Sequence, residues 1–220
     1  MKKSFGVDNI NTLKVDYVYQ AMKDRILKGE YLAGNHLVES EMIEEFKVSR
    51  TTVREALRRL LNDELAELVP HKGIRVRTIN FQDVMDLYLV REYIEGLSAR
   101  LIAEYVDQNV LQQLKEVVQI GRAAVEQKNY ELARKSNAQF HSLIADNSGN
   151  RYLRNSHQRL HSQLVYSQYV RRAIIADIGL AQTQHEEIYQ AILEGNGVKA
   201  ENAMRNHINH AKQVIIDFAK

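Results

Sequence analysis

The sequence contains no cysteine in its 220 residues. Disulfides, thiolate zinc sites and cysteine nucleophiles are therefore excluded. It has one proline and ten glycines, so few positions break a helix, and a mostly helical chain is expected. No apolar run is long enough to span a bilayer, and no apolar h-region stands near the start. The reading is a soluble, unexported, cytoplasmic protein with no membrane partner. The sequence also lacks an H-E-x-x-H helix and a glycine-rich phosphate loop, two common marks of hydrolytic and nucleotide chemistry. Neither a fixed-period repeat nor a low-complexity segment is visible. The charge balance is nearly even, at +2 overall, so charge informs only where it is clustered.

It is clustered once. Lys47 to Arg59 carries five bases against one acid, a patch suited to phosphate contact. The stretch reads as a helix. Ser49 is its N-cap, and Val53, Ala56, Leu57 and Leu60 form one apolar stripe. The other face carries Arg50, Thr51, Arg54 and Arg58. Two readings stand for that face: a helix whose first turn enters the DNA major groove, or a solvated basic surface.

The flanks add context. Met1 to Thr12 is polar, and residues 1–13 read as a flexible terminus. Lys14 to Lys28 places Val15, Val18, Tyr19, Met22 and Ile26 on one helical face, and Gly29 ends it. Glu39 to Phe46 is a short second helix, with Met42, Ile43 and Phe46 turned inward. After the basic helix, Ala66 to Val69 and Ile74 to Arg77 read as two strands. They are joined by Pro70, His71, Lys72 and Gly73, a β-hairpin wing that either touches DNA at its tip or merely closes the domain.

The order Gly34, Leu37-Val38-Glu39, Glu41-Met42-Ile43, Phe46 to Leu60, Leu65 and Gly73-Ile74-Arg75-Val76 resembles the winged helix-turn-helix domain of GntR-family bacterial transcription regulators. The run from Ser49 to Leu60 is its most specific part. The resemblance covers residues 14–78 and implies DNA contacts from Arg50, Thr51, Thr52, Arg54, Lys72 and Gly73. Two positions depart from the family pattern. Ala33 stands where Pro often precedes the Gly. Glu64 stands at a helix end that usually takes Gly for its left-handed freedom.

Beyond Ile79 every segment reads as helix. Asn80 with Asp83 opens one to about Val106, with Val84, Leu87, Tyr88, Val90, Ile94, Leu97, Leu101 and Ile102 as its apolar residues. Others start at Asp107, Asn129, Asn150 (reaching about Ile175), Gly179 and Val198. Residues 82–220 are thus expected to form an antiparallel bundle of about six helices after a short linker. The expected fold class is mostly α: an N-terminal winged helix-turn-helix domain followed by an all-α bundle.

Asp86 to Glu92, Glu95-Gly96, Ala99 to Ala103, Asn137 to His141, Ser148 to Asn150, His185 to Ile188 and Asn206 to Ile208 resemble the ligand-sensing FCD domain of the FadR-type GntR regulators. The resemblance implies a helical domain that binds an effector and dimerises, with a metal-containing pocket in many members. It also implies that Arg91 meets an effector carboxylate. The family's first metal ligand is commonly Asp, and here that position is Asn137.

The residues can be weighed directly. Asn137 and His141 lie one turn apart on one helix face, while His185 and His207 fall within the apolar stripes of two other helices. Buried polar groups need partners. One reading is hydrogen-bonded core histidines. The other is a divalent metal in the bundle core, held by His141, His185, His207 and possible oxygen donation from Asn137, a set suited to Zn²⁺ or Ni²⁺. His157 and His161 form a second pair that could line the same pocket. Arg91 lies near the core side of its helix and needs an anion, either an organic acid or an internal partner such as Glu95.

Two function classes follow. The first is a homodimeric transcription regulator on a palindromic double-stranded operator, sensing a small organic acid in its helical domain. The alternative is a metal-dependent hydrolase using the three histidines with an open position.

Overall fold

The first helix, α1 (Val7–Lys28), follows from the spacing of Val15, Val18, Met22 and Ile26, all of them buried. It begins within the stretch expected to be a flexible terminus. No glycine or proline lies between Val7 and Lys14, so helix propagates outward from the packed turns, where extension is easy once nucleated. Gly29 closes α1 with φ 79°. The computed structural model describes residues 7–105, 107–165, 167, 170 and 178–219. The chain divides into two compact units between Ile79 and Asn80.

In the first unit, α2 (Glu39–Phe46) leads into α3 (Arg50–Asn62). Lys47, with φ 51°, makes the tight turn between them. The Ser49 hydroxyl accepts from the Thr52 backbone N–H at 3.2 Å, capping α3 as its sequence suggests. Val53, Ala56, Leu57 and Leu60 are buried and pack α3 against α1 and α2. Val53, Leu57 and Leu60 each contribute roughly 1.5–3 kcal/mol on burial, which anchors the helix and leaves its other face free. Strands β1 (Ala66–Val69) and β2 (Gly73–Val76) form an antiparallel hairpin in the register Ala66↔Val76 and Val69↔Gly73. Glu64, between α3 and β1, has φ 56°, so the position that the family pattern reserves for Gly does hold a left-handed backbone here.

The second unit contains α4 (Phe81–Tyr105), α5 (Gln108–Glu126), α6 (Tyr130–Asp146), α7 (Arg151–Val165), α8 (Ile178–Leu193) and α9 (Gly197–Phe218). Among the described residues no strand follows Val76. The sequence leads the fourth bundle helix to be expected as far as about Ile175; α7 ends at Val165 and Ser167 is not helical, and most of the remaining stretch lies outside the described residues. Asn80 and Asp83 cap α4 reciprocally, each side chain accepting from the other's backbone N–H at 2.9 Å. Asp107, Asn129 and Asn196 cap α5, α6 and α9. Phe140, Leu114, Ile144, Ile188, Ile192 and Met204 are fully buried between these helices.

Helix α4 is the centre of this unit and packs along α9. Tyr88, Glu92, Glu95, Ala99 and Ile102 face inward at alternating spacings of four and three. Its opposite side exposes Leu89, Val90, Tyr93 and Leu97 at 51, 48, 57 and 40%. Val90 and Leu97, expected in the core, therefore lie outward. The inward stripe instead takes two glutamates, because the charged residues have partners within the bundle.

Candidate functional site

The anchored helix α3 presents Arg50, Thr51 and Arg54 to solvent, and Lys72 and Gly73 are exposed at the tip of the hairpin. Thr52 is corrected: it is only 1% exposed, and its hydroxyl lies 2.9 Å from that of Ser49. It occupies the buried side with Ala56 and Leu60, one and two turns along, and so completes the cap of α3 instead of facing DNA. Arg54 pairs with Glu39 of α2, and Arg58 with Glu55 of its own helix.

The second site is inside the bundle. His141 on α6, His185 on α8 and His207 on α9 are 1, 3 and 3% exposed. Their ligand nitrogens all lie within 4.8 Å of one another. The Nε2 of His207 stands 3.2 Å from that of His141 and 3.3 Å from that of His185. Phe140 stacks on His185 with ring centroids 4.3 Å apart, fixing the plane of that imidazole.

Protonation follows from the partners. His207 Nδ1 is 2.9 Å from Gln184 Oε1. That oxygen only accepts, so Nδ1 carries the proton and Nε2 presents a lone pair. His141 Nδ1 is 2.5 Å from Glu95 Oε2, an ion-pair contact lying off the hydrogen-bond line. Burial pushes the Glu95 carboxyl up, but Arg91 and His141 outweigh it and hold it well below the usual carboxylate range. An ionised carboxylate again places the ring proton on Nδ1. Two Nε2 lone pairs therefore face each other across 3.2 Å, which is repulsive unless a cation lies between them. Burial drives the pKa values of His185 and His207 well below the ordinary imidazole range, helped by the neighbouring histidines, and lowers that of His141 despite the opposing pull of Glu95.

Neutral imidazoles with their second nitrogen held by a carboxylate or an amide oxygen are what a divalent metal requires. Nitrogens bound tetrahedrally at ~2.0–2.1 Å from one ion stand about 3.3 Å apart, the spacing of two of the three pairs here. The residues present fit a metal.

Asn137 lies one turn before His141 on α6 and is half-buried. Arg91 pairs with Glu95, one turn further along α4, and its guanidinium lies 5.3 Å from the Tyr88 ring centroid. The internal anion is thus the partner the structure gives it. His157 is 2% exposed, 3.6 Å from Glu95 Oε1, and stacks against His161 at 5.7 Å. Sequence reasoning passed over Glu95 as a contact of His141 and missed Gln184 altogether. The available signal for Glu95 was its place seven residues from both Tyr88 and Ile102, in step with the buried stripe.

Comparison with known proteins follows both units. The family model "FCD domain" matches residues 86–210, and "Bacterial regulatory proteins, gntR family" matches residues 14–76. The chain is 24% identical over 198 residues to the HTH-type transcriptional repressor RspR of Escherichia coli (strain K12), covering 90% of this chain and 87% of that one. It is 28% identical over 214 residues to the HTH-type transcriptional regulator LutR of Bacillus subtilis (strain 168), covering 88% and 97%. The solved structure of E. coli McbR/YncC shares the fold, with a TM-score of 0.78 at 18% identity over 94% of this chain and 99% of that one.

Proposed function

This chain belongs to the gntR family of bacterial regulatory proteins and carries an FCD domain, and from that premise we propose that it is a metabolite-responsive regulator of the FadR type, acting as a homodimer on a palindromic operator. That it is a transcription regulator and not an enzyme follows from the family and the relatives. The metal-hydrolase alternative finds no support among them.

One observation carries the sensing part: three neutral, buried imidazoles converge in the helical unit, with the outer nitrogens of His207 and His141 already set against Gln184 and Glu95. His141, His185 and His207 would hold a divalent metal, Zn²⁺ or Ni²⁺, with Asn137 as an oxygen donor beside them. The metal would supply a Lewis-acidic position for an oxygen of a small organic acid. Arg91, whose charge acts on all three histidines, would meet the acid's remaining charge. A ligand shifts a regulator only by binding its two states differently, and the metal centre is where the acid would have to do so.

On the DNA side, Arg50, Thr51 and Arg54 read base edges, while Lys72 and Gly73 approach the backbone at the wing. A single reading helix spans few base pairs, so two are required. The apolar stripe Leu89, Val90, Tyr93 and Leu97 on α4 supports self-association of the helical unit. Repression is the expected mode, as for the transcriptional repressor RspR.

Elemental analysis of the purified full chain, followed by electrophoretic shift on its own upstream region with and without candidate organic acids, tests the reading. Bound metal lost in His141→Ala and His207→Ala is expected, along with an acid-dependent change in the shift. Full metal retention in either variant would return the histidines to core hydrogen bonding. Sedimentation of the full chain as a monomer at micromolar concentration would remove the dimer.

A further inference from the structure

Glu95 is the hub of the buried polar cluster. Its side chain is 2% exposed and its two oxygens are divided. Oε1 accepts from Arg91 Nε, and Oε2 contacts His141 Nδ1 at 2.5 Å. His157 Nε2 stands 3.6 Å from Oε1. The guanidinium, carboxylate and imidazole are thus in series, on two helices, ending at the Nε2 that faces His207.

We propose that Glu95 is the positioning residue of the three-histidine centre and that Arg91 sets how much of the Glu95 charge reaches His141. The inference rests on the metal reading above. A carboxylate can only accept, so it fixes His141 with its proton on Nδ1 and its lone pair on Nε2. It also makes that imidazole a stronger donor, the usual effect of a carboxylate behind a ligating histidine. Asn137, one turn from His141, brings no charge of its own. Arg91 competes for the same carboxylate through the other oxygen.

The series arrangement predicts opposite signs for two neighbouring substitutions. Removing Arg91 leaves the Glu95 charge unshared and strengthens His141 as a ligand. Removing the Glu95 charge weakens it. A role in packing alone would make both substitutions weaken the site. Any anion that draws Arg91 away from Glu95 does what removing Arg91 does. Acid and metal would then assist one another, and thermodynamic linkage makes that assistance equal in both directions.

The test uses Co²⁺ alone with the full chain, read by calorimetry and by the visible absorption of the bound ion. Glu95→Gln is expected to lower Co²⁺ affinity roughly 10- to 100-fold and to alter the spectrum. Arg91→Met is expected to raise affinity several-fold. The double variant Arg91→Met/Glu95→Gln removes both buried charges together. It is expected to behave as Glu95→Gln does, which keeps the test decisive if that single variant does not fold. Wild-type affinity and spectrum in the double variant, or weakening by Arg91→Met, would overturn the series arrangement while leaving the metal site intact. No Co²⁺ uptake by the wild-type chain would overturn the metal reading, and this inference with it.

Discussion

Arg54 donates from Nε to both carboxylate oxygens of Glu39, at 2.9 and 3.0 Å. The pair is exposed, with the arginine side chain at 63%, so it is worth about 0–1 kcal/mol and exchanges readily for a base or a phosphate. Arg54→Ala should cost roughly 1–3 kcal/mol of binding to the specific site and less to random DNA. Glu39→Gln should tighten both, since it frees Arg54 and removes an anion from the DNA side. Lys72→Ala should weaken all sequences alike and reduce the salt slope by about one. Fluorescence anisotropy with specific and random duplexes over a salt series measures all three. Equal losses on both duplexes in Arg54→Ala would take base reading away from Arg54.

Glu64 holds a left-handed backbone at φ 56°, a conformation that costs an L side chain roughly 1–2 kcal/mol. Its ion pair with Arg77 is exposed on the glutamate side and offsets little of that. Glu64→Gly should therefore stabilise the winged unit by roughly 0.5–1 kcal/mol, after the extra freedom of glycine in the unfolded chain is counted. Urea denaturation followed by circular dichroism would show it. A loss of stability would mean that the Arg77 pair outweighs the backbone term.

Gly121 on α5 sits where α6 and α8 come closest to it. A methyl group there would collide with Gln182 Oε1 and lie 3.0 Å from Ser136 Oγ. Gln182 is not free to retreat, because its Nε2 donates to the Val118 carbonyl at 2.8 Å in the core. Gly121→Ala should destabilise the helical unit by roughly 1–3 kcal/mol, although alanine is the better helix former. A rise in melting temperature would show that α8 can shift to make room.

Acid should destabilise the helical unit, and His161 reports on it. Burial pushes its pKa from 6.5 down to about 3, with Arg91 and His157 adding to the effect. The unfolded chain then binds a proton that the folded chain refuses. Its contribution to stability is complete above pH 6.5 and is lost progressively as the pH falls toward about 3. Glu95, held low, acts with the same sign below its ordinary 4.5. Urea midpoints measured across this range should fall with pH, and His161→Gln should flatten the fall. An unchanged slope in that variant would assign the acid sensitivity to other groups.

The sequence made the helix caps and the inward histidines legible because both depend on local spacing. Ser49, Asp107 and Asn129 announce helix starts by residue type alone, and His185 and His207 stand in step with apolar neighbours on their own helices. The resemblance implies a DNA contact for Thr52, but its spacing to Ala56 and Leu60 already places it on the buried side, where the structure has it. The partners of the histidines were a different matter. Glu95 and Arg91 at i, i+4 look like a surface pair, and only the packing of α6 on α4 turns that pair toward His141. Gln184 adjoins His185 in sequence and so points elsewhere on α8, which happens to be toward His207. Those relationships depend on the rotation of one helix against another, which no single helix encodes.

Helix α4, which carries Glu95, begins at Phe81, and β2 ends at Val76. Only four residues, Arg77 to Asn80, join the wing to α4, and none is glycine or proline. Both ends of the tether are fastened: the Arg77 N–H donates to the Leu65 carbonyl at 3.0 Å, and Asn80 is locked into the cap of α4. The backbone therefore leaves the hairpin of one unit and enters the capped first helix of the other within four residues, so an insertion or deletion here would fall beside a fastened hydrogen bond on either side.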